Sequence, residues 1–329
     1  MSGRADAARW AARLAGALSF ALLAGCAQLV PQTIALRSDW PPGVPQTIEL
    51  RDVPFFPQTE YQCGPAALAT VLAASGAAVT PEPLVKQVYL PARQGSLQIE
   101  MLAAPRTYGR VSYPLAPRYG DVLREVAAGN PVVVLQEIGL FPGVPEWHYA
   151  VVNGFDYASG TLFLRSGTEP RQQMPFTYFE RTWMKSGYWA MVVTPPERIP
   201  ATAAEDAWLK ALVAFGRVEH GEPLTRGYAA ALKRWPDNVV AAVGLANQYH
   251  AQGAMAQAVK VLRDAQQRHP DSVVIVNNLA QALSDQGRHG EALAVIDKVR
   301  DPRTPFAAEV RSTRQLILQR MAQQKTGNR

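Results

Sequence analysis

Cysteine is scarce in this chain of 329 residues: it has two, Cys26 and Cys63. So few thiols exclude a disulfide-stapled scaffold and any four-cysteine zinc site. The five histidines are scattered and match no usual zinc spacing. No metal and no cofactor is therefore expected. A G-x-S-x-G elbow, a dinucleotide fingerprint and a phosphate-binding Gly-Lys loop are all missing, and with them the chemistries they support. No apolar run reaches the ~20 residues of a membrane-spanning helix. Basic runs and basic-aromatic interleaving are also absent, so the formal charge of +6 implies weak attraction to anionic surfaces and no nucleic-acid partner. What is present is an ordinary folding composition, 48% hydrophobic and 18% charged. The length suits about two domains at roughly 150 residues each.

The N-terminus has the three-part layout of a secretory signal: Arg4, Arg9 and Arg13, then the short apolar stretch "LAGALSFALLAGC" with small residues before Cys26. "LAGC" at 23–26 resembles the lipobox of bacterial lipoproteins. The resemblance implies removal of residues 1–25, a diacylglycerol on the thiol of Cys26 and acylation of its new amino group. Ala27, rather than aspartate, implies the outer membrane. Several acyl chains anchor stably where one is marginal. The expected location is the bacterial cell envelope, lipid-anchored and facing the periplasm. Cys63 is then the lone thiol of an exported protein, either buried and inert or retained for its chemistry.

Residues 26–52 read as a proline-rich, extended or strand-like tether containing a near-duplication, "VPQTIALR" from 30 and "VPQTIELR" from 44. Residues 53–195 read as α+β, with helices expected over 64–75, 81–90, 97–106, 119–128 and 176–184. Thr80 and Ser96 are start signals there. Strands are expected over 131–138, 148–155, 161–166 and 188–194, antiparallel, with "GFDYASGTL" as a hairpin. After "PPER" at 195–198 the chain becomes alanine-rich and helical. Pro236, Asp237, Leu245, Gly253 and Ala258 recur 34 residues later as Pro270, Asp271, Leu279, Gly287 and Ala292. This period resembles the tetratricopeptide repeat, a helix-turn-helix unit that stacks into a concave binding surface. Residues 203–321 form this domain, with 203–235 a degenerate first unit and 305–321 a cap. Its expected ligand is a protein partner.

The stretch "QTEYQCGPAALATVL" opens an apolar helix with Cys-Gly-Pro. Pro65 suits the first turn of a helix. Cys63 therefore stands at a helix N-terminus, where free N–H groups lower a thiol pKa. Gly64 leaves the sulfur open to approach. His148, 85 residues on at the head of "HYAVVNGF", is a candidate base for the thiol. Gln58 is a candidate donor to an oxyanion, alongside the N–H of Cys63. Cys63 and His148 also have structural readings, as a buried core thiol and an edge-strand histidine.

These two stretches, covering roughly 53–194, resemble the bacteriocin-processing cysteine peptidases, which cut leader peptides after a double glycine, and the wider papain-like set. The resemblance implies a Cys63–His148 pair with Gln58 as oxyanion donor. The family's usual orienting Asp or Asn falls here at Ser166, with Asp156 a poor second. A serine hydroxyl holds the imidazole without stabilising its positive form. Double-glycine specificity is not carried over, because this chain has no transporter or ATPase. The expectation is an α+β papain-like cysteine peptidase domain followed by an all-α tetratricopeptide helical-repeat domain. The expected function is hydrolysis of a peptide or protein substrate; the alternative is an inactive peptidase-like adaptor working through its repeats.

Overall fold

The computed structural model describes residues 30–58, 62–139, 141, 143–299, 303 and 305–327. The signal segment and Cys26 lie outside the described residues. Two compact units emerge. One holds the residues up to Pro105 with Ser112–Val193 and Pro200–Thr202; the other holds Arg106–Val111, Thr194–Ile199 and the chain from Ala203.

The first unit departs from expectation at its start. Where an extended or strand-like tether is expected, Pro31–Ser38 is helix α1, while Thr47–Glu49 is strand β1 as expected. The free N–H groups of Gln32 and Thr33 donate to the buried Glu180 carboxylate at 2.9 and 2.6 Å. An acceptor from a distant helix thus satisfies the start of α1. In the second, nearly identical octapeptide, Thr47, Ile48 and Glu49 pair with a neighbouring strand, and Glu49, which stands where the first has Ala35, accepts two bonds from Arg171 at 2.8 and 3.0 Å. Local preferences worth tenths of a kcal/mol per residue yield here to tertiary partners.

Helix α2 (Cys63–Ala74) and helix α3 (Pro81–Val88) follow. Strands β2 (Tyr89–Leu90) and β3 (Gly95–Ser96) form a small hairpin. Helix α4 is shorter than expected: it runs Gln98–Ala103, and a 3-10 stretch covers Ala104–Tyr108. Leu97, not Ser96, stands at its N-cap, because Ser96 is paired with Tyr89 in the hairpin. Thr80 occupies the N-cap of α3 without a side-chain cap bond.

The main sheet is built from β4 (Val111–Pro114), β5 (Val132–Glu137), β6 (Trp147–Asp156), β7 (Thr161–Ser166), β8 (Glu169–Pro175) and β9 (Ala190–Thr194). Helices α5 (Tyr119–Ala127) and α6 (Phe176–Trp183) complete the unit. Strand order is β4-β9-β5-β6-β7-β8, with β1 also on β6, giving seven strands. The ladders of β6 with β1, β5 and β7 are antiparallel, as are β5–β9 and β7–β8. Strand β6 outruns β5, and β1 takes up its last three residues. Strand β8 was not legible: "EPRQQMP" has two prolines and little apolar character, which only an edge strand tolerates. Helix α2 packs on β6 and is buried almost all round, which explains its apolar run without amphipathic period.

The second unit is helical: α7 (Glu205–Phe215), α8 (Glu222–Arg234), α9 (Val239–Ala251), α10 (Met255–Arg268), α11 (Val273–Asp285), α12 (His289–Ile296) and α13 (Ala307–Gly327). Asn238 and Ser272, 34 residues apart, each cap a helix by accepting from the N–H three residues on, at 2.7 and 3.4 Å. Gly253 and Gly287 turn the chain at φ +74° and +79°, where a side chain is strained. Leu262, Leu279, Leu283 and Ile296 lie in the core between successive helices. Among the described residues no helix is long and apolar enough to cross a membrane.

Candidate active site

Cys63 is the first residue of α2 and is half-buried. Gln62, at the N-cap, makes no side-chain cap bond, so the first-turn N–H groups are left for other acceptors. Backbone N–H groups of Tyr149, Gly64 and Cys63 itself act on the sulfur. They do not win: burial pushes the Cys63 thiol above its ordinary value, overcoming their pull downward. Burial thus works against the lowering expected at a helix end, because it desolvates the anion.

His148 is the second residue of β6, and its Nε2 lies 2.9 Å from Ser166 Oγ at the end of β7, a hydrogen bond whose donor depends on the tautomer. The register explains the meeting. Val151 faces Arg165, so Ala150 and Ser166 share one face of the sheet, and His148 is two residues from Ala150 on that face. Burial pushes the His148 imidazole below its ordinary value, and among the described residues no carboxylate counters it. Nε2 is engaged by Ser166, leaving Nδ1 for a thiol. Among the described residues no hydrogen bond joins Cys63 directly to His148; the N–H acting on the sulfur belongs to the next residue, Tyr149. Burial thus favours the uncharged form of both groups.

The backbone N–H of Gln58 donates to the carbonyl of Gly167 at 3.1 Å. Gln58 is thereby held beside the turn that follows Ser166. Asp156 is not part of the site. It lies at the far end of β6, accepting from Thr47 Oγ1 at 2.8 Å and Ser159 Oγ at 2.7 Å, and closes the β6–β7 turn.

Gly64 has a different role from the one expected. It is buried, and a Cβ there would lie 2.3 Å from Ser96 Oγ. Its missing side chain makes room for the β2–β3 hairpin rather than for a substrate. Cys63, Ser96 and Tyr149 line one cleft of about 540 Å3, which Lys185, ion-paired with Glu137, also lines. Tyr149 donates its hydroxyl to the Ser96 carbonyl at 3.2 Å, and burial above all holds it as a neutral phenol. Sequence reasoning missed Ser96 and Tyr149 because nothing local links them to a thiol; only the stacking of the hairpin on α2 and β6 does.

Residues 50–191 match the Peptidase_C39 like family, and residues 249–317 match the tetratricopeptide repeat. No curated protein matches the chain. A Bacillus anthracis protein described as a C39-like peptidase is similar at 18% identity and a TM-score of 0.38, covering 46% of this chain and 98% of its own. The peptidase domain of Streptococcus ComA, a bi-functional ABC transporter involved in quorum sensing, is similar at 20% identity and a TM-score of 0.36, covering 44% and 98%. A mutant form of MamA is similar at 22% identity and a TM-score of 0.30, covering 38% of this chain and 72% of its own. The chain thus carries a mixed α/β C39-like peptidase domain followed by a helical tetratricopeptide-repeat region.

Proposed function

We propose that this protein is a lipid-anchored cysteine peptidase of the bacterial cell envelope. The observation that carries the reading is the 2.9 Å bond between His148 Nε2 and Ser166, beside a cysteine that opens a buried helix. In the proposed reaction His148 Nδ1 takes the proton from the Cys63 thiol as sulfur attacks the substrate carbonyl. Ser166 keeps the ring aligned through Nε2. The N–H of Cys63 and the side-chain amide of Gln58 donate to the oxyanion. His148 returns its proton to the leaving amine, and water hydrolyses the acyl thioester, again with His148 as base. Because burial favours the uncharged form of both groups, the proton moves during attack in this scheme rather than before it.

Anchoring through Cys26, in the outer membrane and facing the periplasm, rests on the lipobox-like "LAGC" and on Ala27. The repeat region holds a protein partner or the substrate near that membrane. A second reading, an inactive adaptor, is favoured by the raised Cys63 thiol and by a serine where the family usually has a carboxylate. Purified wild type should cleave unfolded protein substrates and Cys63→Ala should not. Equal cleavage by both would remove the peptidase reading. Partner capture that survives Cys63→Ala but not removal of 203–329, with no cleavage by wild type, would establish the adaptor.

A further inference from the structure

The cleft beside Cys63 is larger than two glycines would fill. Its volume of about 540 Å3 is in the range of sites that enclose a drug-sized ligand. Leu97, Leu135, Trp147 and Tyr149 give it an apolar lining. Leu97 follows the β2–β3 hairpin and Trp147 opens β6, so the apolar groups come from separate stretches of chain. Leu97 is 37% exposed in that lining. Trp147 itself is 49% exposed. Single exposed apolar residues are ordinary on a surface; a set bordering a nucleophile's cleft marks what the cleft takes. Charge offers no competing selection. Arg93 and Lys185 are balanced by Glu146 and by Glu137, which already holds Lys185.

We propose that this cleft selects a polypeptide with a bulky apolar side chain, of the Phe or Leu class, beside the bond presented to Cys63. Folded proteins bury such side chains, so the occupant is an unfolded or extended segment. Cleavage of that segment rests on the peptidase reading above, whereas the preference is a binding property of the cleft.

Two quenched fluorogenic peptides test it, identical except for Phe or for Gly-Gly at the residues preceding the bond. With the full chain, the Phe peptide is expected to have the higher kcat/KM by about tenfold or more, the scale of apolar pocket discrimination. Leu97→Ser and Trp147→Ser should each bring that ratio toward one. Binding of the same peptides to full-length Cys63→Ala, read by fluorescence anisotropy, reports the preference without chemistry. Cleavage of Gly-Gly as fast as Phe would overturn the preference and leave the peptidase reading standing. If neither peptide is cleaved, the peptidase reading falls and binding decides. Tighter binding of the Phe peptide upholds the preference; equal binding, or none up to about 1 mM, overturns it.

Discussion

Replacing Ser166 with aspartate tests the catalytic geometry most directly. Ser166 Oγ lies 2.9 Å from His148 Nε2, and the residue is only 6% exposed. Ser166→Asp therefore puts an anion against the imidazole in a place with little water. Two unit charges about 4 Å apart interact by about 4 kcal/mol at an effective dielectric of about 20. Desolvation of the new carboxylate offsets part of this, and opposite charges at such distances typically move a pKa by about 1–3 units. That is about 1.4–4 kcal/mol in favour of the imidazolium. Burial now holds His148 below its ordinary value, and the variant should raise it. The imidazolium so formed should in turn lower the Cys63 thiol. NMR titration of the ring in both proteins, with His148→Ala to assign its signal, reads the first effect. Alkylation of Cys63 against pH, resolved from Cys26 by peptide mass spectrometry, reads the second. If 1.4 kcal/mol of this reaches the transition state, cleavage quickens about tenfold. A His148 titration unchanged by Ser166→Asp would refute the assigned contact and the mechanism built on it.

In the wild type, Cys63 should alkylate with an inflection above its ordinary 9.0, since the thiol is protonated until pH rises through its raised pKa. An inflection below 7 would show that something other than burial governs the thiol. Gly64→Ala, whose Cβ meets Ser96 Oγ at 2.3 Å, should lose about 1–3 kcal/mol in urea denaturation and be restored by adding Ser96→Gly. A loss unaffected by Ser96→Gly would place the clash elsewhere. Glu180→Ala removes the acceptor from the start of α1 and should open Arg37 to trypsin; unchanged digestion would show that α1 is held by other contacts. Asn238→Ala should destabilise the repeat unit by about 1 kcal/mol and Ser272→Ala by less, since its cap bond is 3.4 Å rather than 2.7 Å. The reverse order in thermal melts would contradict the capping assignment.

The sequence by itself determined whatever depends on local pattern. The 34-residue period placed the repeat helices and their glycine turns, because each unit reuses the same small set of contacts. The run after Cys-Gly-Pro marked a buried helix, and alternating apolar strands marked the sheet. His148 and Ser166 were paired through the family resemblance, and counting back from the hairpin would not have paired them: the β-bulge between Val152 and Gly154 shifts the register, without which Ser166 would face Val151 on the side of the sheet away from His148. Tertiary structure alone decided the rest. It made a helix of "PQTIALRS" and a strand within "VPQTIELR", since Glu180 caps one copy and β6 with Arg171 holds the other. It gave Gly64 to Ser96 and brought the hairpin over the cysteine. It also set the sign of the Cys63 shift. A helix terminus is written in the chain, but the water it excludes from the sulfur depends on every element packed around it, and here that exclusion is the larger effect.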